Sequence, residues 1–253
     1  MTQMQNEPQS AARAVAVVTG GSRGIGRAVV ERLHAEGFSI VFTHSQSPLE
    51  AAEVAAPSTS AQPIRPLQVD AADPEGPRIT IDAARSLGPV RALVNNAGVT
   101  GTIGPLTSVD DSELARLIDV NLVAPTRLLR EVIRQHAGGS LAIVNVSSIA
   151  AQTGSPGEYV VYAAAKAALE TLTRGVAKEV AAQGIRVNAV APGFVDTTIH
   201  TRAGEPGRAF RLAATTPLGR PGTADEIADA IAWLISDESR YVVGETLHVT
   251  GGA

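Results

Sequence analysis

Ala14-Val15-Ala16-Val17-Val18 is five apolar residues in a row, with no polar residue alternating between them. A strand with one wet face alternates apolar with polar. A strand that does not alternate is buried on both faces, as in parallel sheets sandwiched between helices. The chain repeats this arrangement. Ile25 to Ala35 follows with helical spacing, placing Ile25, Val29 and Leu33 on one side, and Gly37 ends it. Further strands are expected over Ser39–Thr43, Ile64–Val69, Val90–Val94, Leu141–Val146, Ile185–Val190 (stopped by Pro192-Gly193) and Thr246–Val249. Between them, Asp110–Gln135 is expected as one long helix that holds Asn121 and bends at Pro125. Tyr159–Ala182 and Ala224–Ile235 are expected as two more.

Strands alternating with helices build βαβ units with right-handed crossovers. The fold class is therefore α/β: a single doubly wound Rossmann-type domain over 13–253, with about seven parallel strands and helices on both faces. The 253 residues are within the range of one such domain. Met1 to Ala12 is polar, reads as a disordered amino-terminal tail, and lacks the basic-then-apolar order of a signal peptide. No apolar run approaches the ~18–20 residues of a membrane span. With 21 basic and 25 acidic residues and no clustering, a nucleic-acid footprint is not expected. The absence of cysteine excludes disulfides and thiolate metal sites. A cytoplasmic protein is the simplest expectation.

Thr19-Gly20-Gly21-Ser22-Arg23-Gly24-Ile25-Gly26 joins the first strand to the first helix. Gly20, Gly24 and Gly26 permit a tight turn and let a pyrophosphate approach backbone N–H groups at the positive helix end. Their spacing is wider than the usual dinucleotide fingerprint, and glycines before a helix also serve as plain turns. Enzymes preferring NAD(H) commonly carry an acid after the second strand for the ribose hydroxyls. Here that place reads Thr43-His44-Ser45, with no acid. Arg23, in the glycine turn, can face the same pocket, and arginine with hydroxyl groups suits a 2′-phosphate. NADP(H) is the cofactor expected, the simpler reading of Arg23 being a solvated loop residue.

Tyr162 and Lys166 stand four residues apart, hence on one helical face. The ammonium is expected to hold down a phenol pKa that is otherwise near ~10 and too high for acid–base work at neutral pH. Ser148, just past the fifth strand, can hydrogen-bond a substrate oxygen. Asn121 is expected to hold a water that relays protons from the lysine. Alone, Tyr162 reads as a half-buried helix residue and Lys166 as a surface one. Tyr159 lacks a lysine at the matching spacing. Strand alternation is expected to point only one of Ser147 and Ser148 at the pocket. The five histidines form no ligand spacing, so metal catalysis is not expected.

At these residues the chain resembles the short-chain dehydrogenase/reductase family, from Arg13 to Ala253. The motifs are Thr19–Gly26, Asn95–Gly98, Asn121, Ser148, Tyr162 with Lys166, Pro192-Gly193 and Val249-Thr250-Gly251-Gly252. The resemblance implies Asn121, Ser148, Tyr162 and Lys166 as the catalytic set. It also implies a dinucleotide held by Gly20, Ser22, Arg23, Gly24, Ile25, Gly26, His44 and Ser45. Asp70 and Ala71 would flank the adenine, and Asn96, Ala97 and Gly98 would line the ribose. Pro192, Gly193, Val195 and Thr197 would border the nicotinamide, with Tyr162 and Lys166 at its ribose. Two departures stand out. The Ser148-to-Tyr162 stretch looks one residue longer than is commonest, which would reshape the loop from Ala151 to Glu158. Thr250 replaces the usual acid, a change expected to bear on a subunit contact. The family is usually dimeric or tetrameric, and Ala163, Ala167 and Ala177 offer a small-residue face for pairing the long helices.

The expected activity is hydride transfer between NADP(H) and a carbonyl or secondary alcohol, with Tyr162 as general acid/base. A close variant resembles the 3-oxoacyl-carrier-protein reductases of fatty-acid synthesis. For these, Arg130, Arg174 and Lys178 could dock an acidic carrier, although they read more simply as solvated helix faces. A cofactor-bound regulator without catalysis would have lost the tyrosine or lysine, and both are present. Finally, 197–217 carries His200, Arg202, Arg208, Arg211, Gly204 and Gly207, is long for a connection, and follows a strand's carboxyl end. A substrate lid is expected there.

Overall fold

The computed structural model describes residues 13–197, 205 and 207–253. Seven strands form one sheet: β1 (Val15–Val18), β2 (Ser39–His44), β3 (Ile64–Gln68), β4 (Val90–Asn95), β5 (Leu141–Val146), β6 (Ile185–Pro192) and β7 (Thr246–Val249). Their order is β3-β2-β1-β4-β5-β6-β7, with every neighbour parallel. The chain runs from β1 out to β3, then returns to place β4 on β1's other side. The seam between β1 and β4 is the topological switch point, where ligands bind in such sheets.

The strand positions that are apolar throughout divide between two cores. Ala16, Val18, Ile40 and Phe42 face α1 (Gly24–Ala35), α2 (Pro48–Ala55) and the helix Ala224–Ile235, through Val29, Leu33, Ala51, Val54, Ile227 and Ile231. Val15, Val17, Val41, Leu93 and Ile143 face α3 (Gly76–Arg85), α5 (Ala124–Arg134) and α7 (Val160–Val180), through Ile81, Leu128, Leu129, Ala177 and Val180. Alternate residues of one strand thus enter opposite cores, which explains why β1 tolerates no polar position.

The expected single helix over 110–135 is interrupted. α4 (Asp111–Ile118), capped by the Asp110 carboxylate accepting from the Glu113 N–H, gives way to a wider π-helical turn at Asp119–Val123 before α5 resumes. Pro125 has no N–H to donate to the Asn121 carbonyl four residues back. The disruption therefore falls before the proline, and it carries Asn121. β6 runs on through Pro192 rather than ending ahead of it. Short helices α2, α3, α6 (Ala150–Thr153) and α8 (Arg208–Ala213) give too few turns for a periodic signal and were not legible in the sequence. The last long helix, α9 (Ala224–Ile235), opens on a capping box between Thr223 and Glu226.

Of the segment read as a lid, 198–204 and 206 lie outside the described residues, as does the tail 1–12, so His200, Arg202 and Gly204 are not placed. The small-residue face proposed for subunit pairing is corrected. Ala163 and Ala177 are buried within this chain and Ala167 partly so, because Ala163 packs with Ala150 and Tyr159 and Ala177 packs in the core beneath the sheet. The exposed side carries Ala164, Thr171, Arg174 and Lys178.

Candidate active site

The carboxyl ends of the strands open into one cavity of about 490 Å³. Every residue singled out above as catalytic or cofactor-binding lines it except Gly26 and Asn121, which stand directly behind the lining. At the amino end of α1, Gly20 and Gly24 adopt left-handed φ values of 67° and 52°, a conformation glycine reaches without strain. Gly26 meets another demand. A Cβ there would lie 2.2 Å from the Gly20 carbonyl oxygen and 2.5 Å from Asn96 Nδ2. Asn96 Nδ2 donates to the Thr19 and Gly20 carbonyls at 2.9 and 3.2 Å, and Thr19 Oγ1 accepts from the Asn96 and Ala97 N–H groups. The two loops flanking the switch point are thereby locked together. No side chain caps α1, so its first-turn N–H donors are available to an anion in the cavity.

On the opposite wall, Tyr162 and Lys166 stand one turn apart on α7, 9% and 3% exposed. Burial pushes the Tyr162 phenol up to about 12, opposed by a hydrogen bond with the Ser148 hydroxyl. Burial also brings the Lys166 ammonium down to about 8. The expected depression of the tyrosine by the lysine is therefore reversed here. Lys166 Nζ donates to the Val146 carbonyl at 2.8 Å and sits 5.6 Å from the Tyr162 ring centroid, and desolvation dominates both groups. The Asn121 side chain is engaged by backbone. Its Oδ1 accepts from the Val99 N–H at 3.2 Å, and its Nδ2 donates to the Val99 and Leu117 carbonyls at 2.8 and 2.9 Å. This side chain pins the loop after β4. It still approaches the lysine: a Cβ on Gly98 would lie 2.9 Å from Asn121 Oδ1 and 3.5 Å from Lys166 Nζ.

Ser147 and Ser148 both reach the cavity wall, so alternation does not separate them by location. Their chemistry does. Ser147 is buried and donates to Glu170 Oε1 at 2.7 Å, whereas Ser148 Oγ accepts from the Ala150 N–H and meets Tyr162. The expanded Ser148–Tyr162 stretch forms α6, then turns through left-handed Gly154 and Ser155.

Three more residues, none expected to act on substrate or cofactor, line the cavity. Glu158 takes a bidentate ion pair from Arg208, which is almost fully buried on α8 and stacks over the Tyr159 ring at 5.1 Å. The Tyr159 hydroxyl is enclosed and has no hydrogen-bond partner among the described residues. Tyr159, passed over for want of a lysine at the matching spacing, lies three residues before Tyr162 and so shares its face. The Glu158–Arg208 pair spans fifty residues and left no local signal.

The buried lysine has a measurable consequence. A lysine titrating at about 8 when folded and 10.5 otherwise destabilises the fold below pH 8, and stability recovers as pH rises from 8 to 10.5. In urea unfolding, the stability difference between this protein and Lys166→Met is therefore expected to move in favour of lysine across that window, by on the order of 3 kcal/mol. Tyr162 is common to both proteins and cancels in the difference. A difference that stays flat with pH would show that Lys166 titrates normally.

A glycine turn at the switch point of a doubly wound sheet, facing Ser148 and the buried Tyr162 and Lys166 across one cavity, defines a dinucleotide-binding α/β fold. A family model described as enoyl-(acyl carrier protein) reductase matches residues 20–253. The uncharacterized oxidoreductase YgfF of Escherichia coli is 43% identical over 94% of this chain and 99% of its own. The 3-oxoacyl-[acyl-carrier-protein] reductase FabG of the same organism is 38% identical over 94% and 96%. Among solved structures, a blue fluorescent protein from a metagenomic library in complex with NADPH superimposes with a TM-score of 0.88 at 36% identity, covering 96% of this chain and 99% of that one. A short chain dehydrogenase from Burkholderia cenocepacia in complex with NADP gives 0.88 at 32%, with the same coverage. This chain belongs to the short-chain dehydrogenase/reductase family of oxidoreductases. No described helix is long and apolar enough to cross a membrane.

Proposed function

We propose that this protein is an NADP(H)-dependent oxidoreductase acting on a carbonyl or secondary alcohol, with Tyr162 as general acid/base. The observation that carries the reading is the single cavity shared by the glycine turn and by Ser148, Tyr162 and Lys166. The uncapped start of α1 and the close approach of Gly26 to Gly20 fit a pyrophosphate resting on backbone amides. When bound, the nicotinamide supplies or accepts the hydride. The protein's own groups handle the proton: the Tyr162 hydroxyl donates it to the substrate oxygen during reduction, and Ser148 hydrogen-bonds that same oxygen. Lys166, beside Tyr162, lowers the cost of the transient phenolate once its ammonium is retained by new partners. Burial of Tyr162 and Lys166 strengthens each interaction.

Arg23 on the cavity wall, with hydroxyls from Ser22 and Ser45 and no carboxylate from Thr43-His44-Ser45, supports NADP(H) over NAD(H). The two neighbours solved with NADPH and NADP add to this. NADPH oxidation against a panel of ketones, quinones and acyl thioesters is the direct test. NADPH is expected to give the higher kcat/KM, and Arg23→Ala to erode that advantage. Equal or better efficiency with NADH in the unaltered protein would end the NADP(H) reading.

A second reading, reduction of 3-oxoacyl groups on a carrier protein, is favoured by the FabG relative. Exposed Arg130, Arg174 and Lys178 are available to an acidic partner. Preference for a carrier-bound thioester over simple ketones in the same panel distinguishes it. A dimer or tetramer is proposed on the family's habit, and light scattering on the purified protein decides it.

A further inference from the structure

The acid that β2 lacks arrives from another element. Glu50 on α2 reaches across to Arg23, Oε1 to Nη1 at 3.3 Å, and both side chains are about one-third exposed. Asp70, past β3, is a second carboxylate on the same wall, exposed and accepting from the Ala72 N–H. The Ser22 and Ser47 hydroxyls bond to each other at 2.6 Å. At the end of β2, His44 is 7% exposed and lines the cavity, and its Nδ1 is enclosed without any hydrogen-bond partner.

Taken together, Arg23 is balanced by Glu50, Asp70 adds a negative charge, and a neutral imidazole adds none. Among the described residues, the wall expected to face the adenosine ribose thus has no surplus positive charge, yet a 2′-phosphate is close to a dianion at neutral pH. Of the groups facing it, imidazole is the one that gains a positive charge between pH 5 and 8. We propose that His44 takes up a proton when a 2′-phosphate binds, so that discrimination for phosphorylated over unphosphorylated cofactor strengthens as pH falls. The inference rests on the NADP(H) reading. The proton moves from solvent to the imidazole, and the phosphate accepts the resulting N–H with no bond to phosphorus made or broken. Burial keeps the ring neutral when empty, opposed by Glu50, and arrival of the anion reverses the balance.

Titration calorimetry of the full chain with 2′,5′-ADP and with 5′-AMP, which differ only in the 2′-phosphate, each in two buffers of different ionisation enthalpy, reads the proton directly. At pH 7.5, 2′,5′-ADP is expected to bind with net proton uptake, and its affinity to fall as pH rises, by no more than about tenfold per pH unit. 5′-AMP is expected to bind without uptake. His44→Gln is expected to abolish the uptake and flatten the pH dependence, and continued binding of 5′-AMP by the variant shows the pocket intact. The phosphate's own titration works in the opposite direction, since pairing with Arg23 makes it release protons. Tighter binding of 2′,5′-ADP with no uptake, or uptake that survives in His44→Gln, overturns the inference alone. If 2′,5′-ADP binds no better than 5′-AMP at any pH, the NADP(H) reading falls with it.

Discussion

Tyr162→Phe is expected to lower kcat by ~10²–10⁴-fold, the usual contribution of a positioned general acid, while NADPH binding stays largely intact. The substitution removes one buried oxygen and keeps the ring, so the packing of Tyr162 with Tyr159, Ala150 and Ala163 survives. Its hydrogen bond with Ser148 is lost, a change of about 1 kcal/mol in stability. Stopped-flow fluorescence of NADPH binding beside steady-state turnover separates the two effects. A folded variant that turns over at a near-normal rate would mean that another group supplies the proton, and Tyr159, the residue that precedes α7 and lines the same cavity, would be the next candidate.

Gly26→Ala is expected to damage both the fold and cofactor binding. The new methyl would sit 2.2 Å from the Gly20 carbonyl oxygen, which is backbone and cannot swing aside as a side-chain end does. The turn that presents Gly20 and Gly24, and the bonds from Asn96 that tie it to β4, must shift together. A cost of roughly 1–3 kcal/mol or more is expected from overpacking alone. Affinity for NADPH should fall further than stability, since the displaced backbone is the part that would meet the pyrophosphate. Urea midpoints beside NADPH dissociation constants measure the two losses. A variant with unchanged Kd would show that the close packing at Gly26 has no part in binding.

Much of this protein was determined locally. The uninterrupted apolar run of β1 required burial on both faces, and that requirement, with the alternation of strands and helices, leads to a parallel sheet and its switch point. Tyr162 and Lys166 were legible because a helix converts a spacing of four into a shared face, and Gly20, Gly24 and Gly26 because a strand-to-helix turn needs them. Tertiary structure decided what depends on distant partners or on solvent. The direction of the Tyr162 and Lys166 shifts is set by desolvation inside the assembled cavity, which no pair spacing encodes. The Asn121 side chain is tied to the Val99 and Leu117 backbone, contacts that depend on where the loop after β4 lies against the helix. Glu50 reaches Arg23, and Arg208 reaches Glu158, only after α2 and α8 dock against the sheet. Periodicity reports which face of an element is buried; the partners it meets, and the charges left unbalanced there, exist only once the chain has folded.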